Sequence, residues 1–133
     1  MEIIGHGVDL IELGRVDGLL RRNEDFLFGW FTEREIDDLG ARAGCADVVG
    51  GRVAAKEATV KALGVGFAGD VTWLDVEILV NAKGAPVVAL SGGALDVATS
   101  LGVVKIFVSI SHTQSAAVAS AIAVGSPPTS QCT

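Results

Sequence analysis

The run from Arg52 to Leu63, Arg-Val-Ala-Ala-Lys-Glu-Ala-Thr-Val-Lys-Ala-Leu, constrains this chain more than any other segment. Good helix formers fill it, neither proline nor glycine interrupts it, and Gly64 follows where a left-handed cap would end it. A helix here carries four charged side chains, Arg52, Lys56, Glu57 and Lys61, and whatever folds around it must place them.

The rest of the chain supplies strands and short helices. Met1 to Leu10 reads as a strand interrupted by Gly5 and Gly7, and Ile11 to Arg22 has helical spacing in Ile11, Val16, Leu19 and Leu20. Thr32 and Glu35 form a T-x-x-E capping pattern that opens a second helix fading into Gly40, with 41–50 expected as a loop. Val71 to Val80 and Pro86 to Leu90, joined by a turn at Lys83-Gly84, predict a β-hairpin. Ser91 caps a helix ending at Gly102, and two more strand-like runs follow, Val103 to Ile110 and Ser115 to Val124. Adjacent strands joined by short turns, without strict βαβα alternation, predict an α+β fold with a small antiparallel sheet packed with helices. A chain of 133 residues fits one domain, expected over 1–125. The tail 126–133, with Pro127-Pro128, is too polar and short to pack and is expected to be mobile.

Half the residues are hydrophobic but only 5% are aromatic, so the interior must be built from Val, Ala, Leu and Ile. A domain of this size buries roughly two-thirds of the surface its unfolded chain exposes. The apolar excess therefore points to an oligomer. A net charge of −6 excludes a nucleic-acid binder that works by neutralising phosphates, and an anionic membrane surface equally. Cys45 and Cys132 match no zinc spacing, no basic region precedes an apolar run at the N-terminus, and Ala116 to Val124 is about half the ~20 residues a membrane-spanning helix needs. A reduced cytosolic protein is the expectation.

Asp9, in Gly5-His6-Gly7-Val8-Asp9-Leu10, has two readings: a carboxylate turned toward a ligand where small neighbours permit close approach, or, with Glu12, an N-terminal helix cap. Glu57 and Lys61, four apart, share a helix face as an ordinary surface pair, or Glu57 holds a divalent cation while the cationic side chains meet phosphate oxygens. Gly64-Val65-Gly66-Phe67-Ala68-Gly69 spells G-x-G-x-x-G, yet it follows a helix and precedes a strand, the reverse of a dinucleotide fingerprint. Ser111 and His112 on one strand face opposite ways and no G-x-S-x-G elbow is present, so a nucleophilic pair is excluded. The cluster Ser109 to Thr113 is then either a set of donors for phosphate or ribose, or turn-forming polar residues.

Taken together, Gly-x-Gly-x-Asp-Leu, Arg-x-Ala-Ala-Lys-Glu-Ala-x-x-Lys-Ala-Leu-Gly and Ser-Ile-Ser-His-Thr, in this order from Met1 to Val124, resemble the holo-acyl-carrier-protein synthase family of 4′-phosphopantetheinyl transferases. The resemblance implies a homotrimer with active sites between subunits, and transfer of the phosphopantetheine arm of coenzyme A to a serine of an acyl carrier protein. It implies Mg²⁺ held by Asp9 and Glu57, with Glu57 and Lys61 as catalytic residues. Arg52, Lys56, Gly64, Gly66, Ser111, His112 and Thr113 would line the coenzyme A site, and Arg15, Arg21 and Arg22 would meet the acidic carrier. Val53 stands where the family often has an aromatic residue, 42–49 is poor in basic residues, and His6 would be an additional neighbour of the metal. Two other functions fit less of the pattern: a non-catalytic nucleotide- or carrier-binding module, and a pyrophosphate hydrolase.

Overall fold

The structure is a computed structural model that describes residues 1–23 and 25–129. Strand β1 spans Glu2–Glu12, followed by helices α1 (Leu13–Arg22), α2 (Phe26–Trp30), α3 (Glu33–Leu39) and α4 (Ala46–Ala62). A hairpin of β2 (Val76–Val80) and β3 (Pro86–Leu90) comes next, then α5 (Gly92–Leu101), β4 (Val103–His112) and β5 (Ala116–Gly125). Among the described residues the strands form two antiparallel sheets, one in the order β1-β5-β4 and one of β2 and β3. The α+β expectation holds.

Alternation along β5 explains the larger sheet. Ala117, Ala119, Ala121 and Ala123 point to one face and are buried against α4, where Ala54, Ala55, Ala58 and Ala62 are equally small. Alanine on alanine lets helix and sheet lie close. The other face is uncovered in the protomer. There the register aligns His6, Ile122 and Phe107 in one row, Val8, Ser120 and Ser109 in the next, and Leu10, Val118 and Ser111 in a third. Leu10 is 67% exposed and Phe107 53%, values that a finished core would not leave.

Helix α4 starts earlier than the sequence suggests. Residues 41–50, expected as a loop, form a short 3₁₀ turn at Gly40–Gly44 and the first part of α4. Gly50 and Gly51, poor helix formers, lie inside it because larger residues would collide: a Cβ on Gly50 would stand 2.6 Å from Leu13 and one on Gly51 2.8 Å from Ile110. Packing overrides propensity here. The helix does end where expected, with Gly64 at φ +76°.

The α3 capping box is present: Thr32 Oγ1 accepts from Glu35 N at 3.2 Å and Glu35 Oε1 accepts from Thr32 N at 3.0 Å. Strand β2 is shorter than predicted, because Trp73–Asp75 coils into a 3₁₀ turn capped reciprocally by Thr72 and Asp75. Strand β5 ends at Gly125, and Ser126 N donates to Gly102 O at 3.0 Å. The expected mobility of 126–133 concerns a stretch of which 130–133 lie outside the described residues. Among the described residues no helix is long and apolar enough to cross a membrane, and Cys45 is a free, exposed thiol.

Candidate active site

The Gly-x-Gly-x-Asp motif works by alternation. Residues 5, 7 and 9 point from β1 toward α4. A Cβ on Gly5 would stand 2.0 Å from Ala62 O, and one on Gly7 would stand 2.2 Å from Ala58 O and 2.7 Å from Lys61 Cβ. The glycines therefore admit the helix itself, not a ligand, and bring strand and helix into backbone contact. Asp9, next on the same face, meets the polar end of α4. Lys61 Nζ donates to Asp9 Oδ1 and to Val8 O, both at 3.1 Å.

Asp9 is thus inside the strand, paired with Ala119, and does not cap α1; the N-cap is Glu12, which makes no side-chain cap bond. Glu57 lies one helical turn before Lys61 and lines a cleft of about 150 Å³ together with Asp9, Arg15, Trp30 and Val53. Burial raises the pKa of the Glu57 carboxyl, and the Asp9 charge raises it further, against a smaller opposing pull from Lys61. Two carboxylates line one small cleft, with the Lys61 ammonium paired to one of them.

Lys56 and Arg52, expected along the coenzyme site, do not line the Asp9 and Glu57 cleft of the protomer. Lys56 is fully buried, and its three donors are taken by Glu35 Oε1 at 2.7 Å, Trp73 O at 2.9 Å and Val76 O. Burial lowers its pKa, opposed by the attraction of Glu35. Glu35, which sequence reasoning recognised only as a cap, is the hub of this network: its Oε2 also accepts from Ile78 N at 3.1 Å. Arg52 is buried too, donating to Ile78 O at 3.0 Å and paired with Asp38 at 3.2 Å. Both cations tie α4 to α3 and β2. The only early signal was their spacing of four on a helix otherwise apolar on that side.

Ser111, His112 and Thr113 are not brought to the Asp9 and Glu57 cleft within the protomer. His112 and Thr113 border a separate open cleft of about 700 Å³, which Asp17 and Asp47 also line. His112 Nε2 is 4.0 Å from Asp47 Oδ2, and Ser111 sits on the uncovered sheet face beside Val118. Thr113 Oγ1 accepts from Ser115 N and Ala116 N, the turn-holding role weighed for it. Gly64 and Gly66 are exposed on the loop that leaves α4, and a Cβ on either would meet nothing within 4 Å. His6 points to the uncovered face, opposite to Asp9, so it is no neighbour of the two carboxylates.

Arg15 alone of the three α1 arginines lines the cleft. Arg21 is paired with Asp17 at 3.0 Å and Arg22 donates to Gly18 O at 3.1 Å, both on the exposed surface. Among the described residues no group of three or more His, Cys, Asp or Glu side chains could hold a metal.

Residues 5–121 match the 4′-phosphopantetheinyl transferase superfamily. The chain belongs to this family. It is 44% identical over 127 residues to the holo-[acyl-carrier-protein] synthase of Clostridium perfringens, covering 92% of this chain and 95% of that one. It is 45% identical over 121 residues to the synthase of Natranaerobius thermophilus, covering 90% and 96%. Among solved structures, this phosphopantetheinyl transferase superposes on the acyl carrier protein synthase of Plasmodium yoelii with ADP bound at a TM-score of 0.84 and 34% identity, covering 94% of this chain and 97% of that one. The synthase of Helicobacter pylori in complex with coenzyme A gives 0.77 and 28%, covering 90% and 99%.

Proposed function

We propose that this transferase is a holo-[acyl-carrier-protein] synthase that moves the 4′-phosphopantetheine arm of coenzyme A onto a serine of an apo acyl carrier protein. The convergence of Asp9, Glu57 and Lys61 at one small cleft carries the reading. The donor set suits a hard divalent cation such as Mg²⁺: two carboxylates lie close enough that the charge of one raises the pKa of the other, a repulsion that a cation relieves. When bound there, Mg²⁺ would neutralise charge on the coenzyme pyrophosphate.

The carrier serine oxygen forms a bond to the β-phosphorus while the bond from that phosphorus to the bridging oxygen breaks; the serine proton passes to the Glu57 carboxylate or to solvent, and 3′,5′-ADP departs. Lys61 holds its ammonium at this cleft by two 3.1 Å contacts and keeps half its surface exposed, so it can turn to the charge developing on the departing oxygen. Arg15, at the rim, gives the acidic carrier a cationic contact next to the reacting groups, with Arg21 and Arg22 farther along α1.

A homotrimer with sites between subunits is supported by two features. The sheet face carrying Val8, Leu10, Phe107 and Ile122 lacks a cover in the protomer. His112 and Thr113 border a different cleft from Asp9 and Glu57, and Ser111 is on the uncovered sheet face, as they would be if this cluster served a neighbouring subunit's site. Gly64 and Gly66 would then border the coenzyme from the loop after α4.

The deciding experiment incubates the protein with apo carrier, coenzyme A and Mg²⁺ and weighs the carrier by mass spectrometry. A gain of one phosphopantetheine arm, absent with Asp9→Ala, is expected; an unchanged carrier mass with the unaltered protein overturns the reading.

A further inference from the structure

Five Phe and two Trp are all the aromatic residues this chain has. Four of them form one continuous stack. Phe67 lies against Trp73 with ring centres 4.0 Å apart and planes 19° apart, and Trp73 lies against Trp30 at 4.1 Å and 8°. Trp30 in turn meets Phe26 edge-on at 4.6 Å and 60°.

The stack joins two segments with separate tasks in the proposed reaction. At one end Phe26 and Trp30 form the apolar wall of the cleft that holds Asp9, Arg15 and Glu57. At the other end is the loop 64–69, whose backbone bonds are local: Val65 N donates to Val60 O at 3.0 Å and Ala68 N to Gly66 O at 2.9 Å, while Gly64, Gly66 and Gly69 meet no neighbour within 4 Å of where a Cβ would be. Val65 and Phe67 are the loop side chains that pack inward. Trp73, between the two ends, is itself fixed. Its carbonyl accepts from the buried Lys56 Nζ at 2.9 Å, and the reciprocal Thr72 and Asp75 cap holds its 3₁₀ turn.

We propose that Trp73 is a positioning residue that keeps the coenzyme-side loop in register with the carrier-side wall of the cleft. This rests on the functional reading above, in which the loop borders coenzyme A and the cleft, with Arg15 at its rim, meets the carrier. An indole covered on both faces lets neither neighbour shift alone. Movement of Phe67 is felt at Trp30.

The test is steady-state transfer kinetics with coenzyme A and apo carrier varied separately, at a temperature where circular dichroism shows each variant folded. Phe67→Leu is the decisive variant, because Phe67 is outside the cleft and its ring stacks directly on Trp73. Its KM is expected to rise roughly three- to tenfold for both substrates, the scale of one aromatic pair. Its kcat is expected to stay within about twofold, since the reacting groups are untouched. Trp73→Leu should show the same split, and Trp73→Phe, which keeps a flat ring between the neighbours, should restore both KM values.

A rise confined to the coenzyme KM in Phe67→Leu, a loss confined to kcat, or a Trp73→Phe variant as impaired as Trp73→Leu would overturn the proposal. If Trp73→Leu does not fold, Phe67→Leu still decides. Absence of transfer by the unaltered protein removes the functional reading and this inference together, whereas an active protein without the KM pattern removes the inference alone.

Discussion

Gly7→Ala probes the contact on which the site depends. The new Cβ would stand 2.2 Å from Ala58 O, 2.7 Å from Lys61 Cβ and 2.8 Å from Ala62 N, where ordinary contact begins at 3.4 Å. Strand and helix must therefore part by about 1.2 Å, the difference between 3.4 and 2.2 Å. Two of the three obstructing atoms are helix backbone and have no rotamer to yield. Overpacking typically costs ~1–3 kcal/mol, and this site belongs at the upper end because neither element has a flexible atom to move. That is a large part of a total stability of roughly 5–15 kcal/mol. Separation also lifts Asp9, two residues along the same face, away from Glu57 and Lys61. In urea unfolding followed by circular dichroism, the midpoint should fall with an unchanged slope. In the transfer assay, the Mg²⁺ concentration for half-maximal rate should rise. Gly14→Ala, where a Cβ meets nothing within 4 Å, is the control and should change stability by no more than ~1 kcal/mol. If Gly7→Ala matched that control in both stability and Mg²⁺ response, the argument that glycine is needed for strand-to-helix contact would be wrong.

Lys56→Met should destabilise the fold by ~3–5 kcal/mol by leaving Glu35 buried without its cation, a loss read as a lower urea midpoint; a raised coenzyme A KM with intact stability would return Lys56 to the coenzyme site. If Glu57 holds the cation, its raised pKa should set the acid limb of activity, because the neutral carboxyl cannot bind a cation: activity should fall as pH drops through a value above that of a free glutamate. Rate profiles against pH at several Mg²⁺ concentrations check this, since the cation competes with the proton and should move the limb to lower pH; a limb indifferent to Mg²⁺ would dissociate it from Glu57. Arg15→Glu should lower kcat/KM for the carrier and flatten its salt dependence, with coenzyme A KM unaffected. A carrier rate unchanged by that substitution would place docking elsewhere.

The sequence by itself determined the helix that carries Glu57 and Lys61, the capping box at Thr32 and Glu35, the hairpin turn, the two long late strands and the antiparallel class. These follow from local rules of period, caps and turns, which act over a few residues. It also pointed to a surplus of apolar side chains, which lies on the uncovered face of the β1-β5-β4 sheet. Tertiary structure alone decided what each charge does. Four charged residues on one helix look alike in sequence, yet α3 and β2 bury Arg52 and Lys56, while β1 comes close enough through Gly5 and Gly7 to give Lys61 a partner in Asp9. The same holds for Gly50, expected in the loop 41–50 and found with Gly51 inside α4, where a Cβ on either would crowd Leu13 or Ile110. What a cation does depends on which elements, distant in the chain, cover it, and residue spacing along one helix does not say which elements those are.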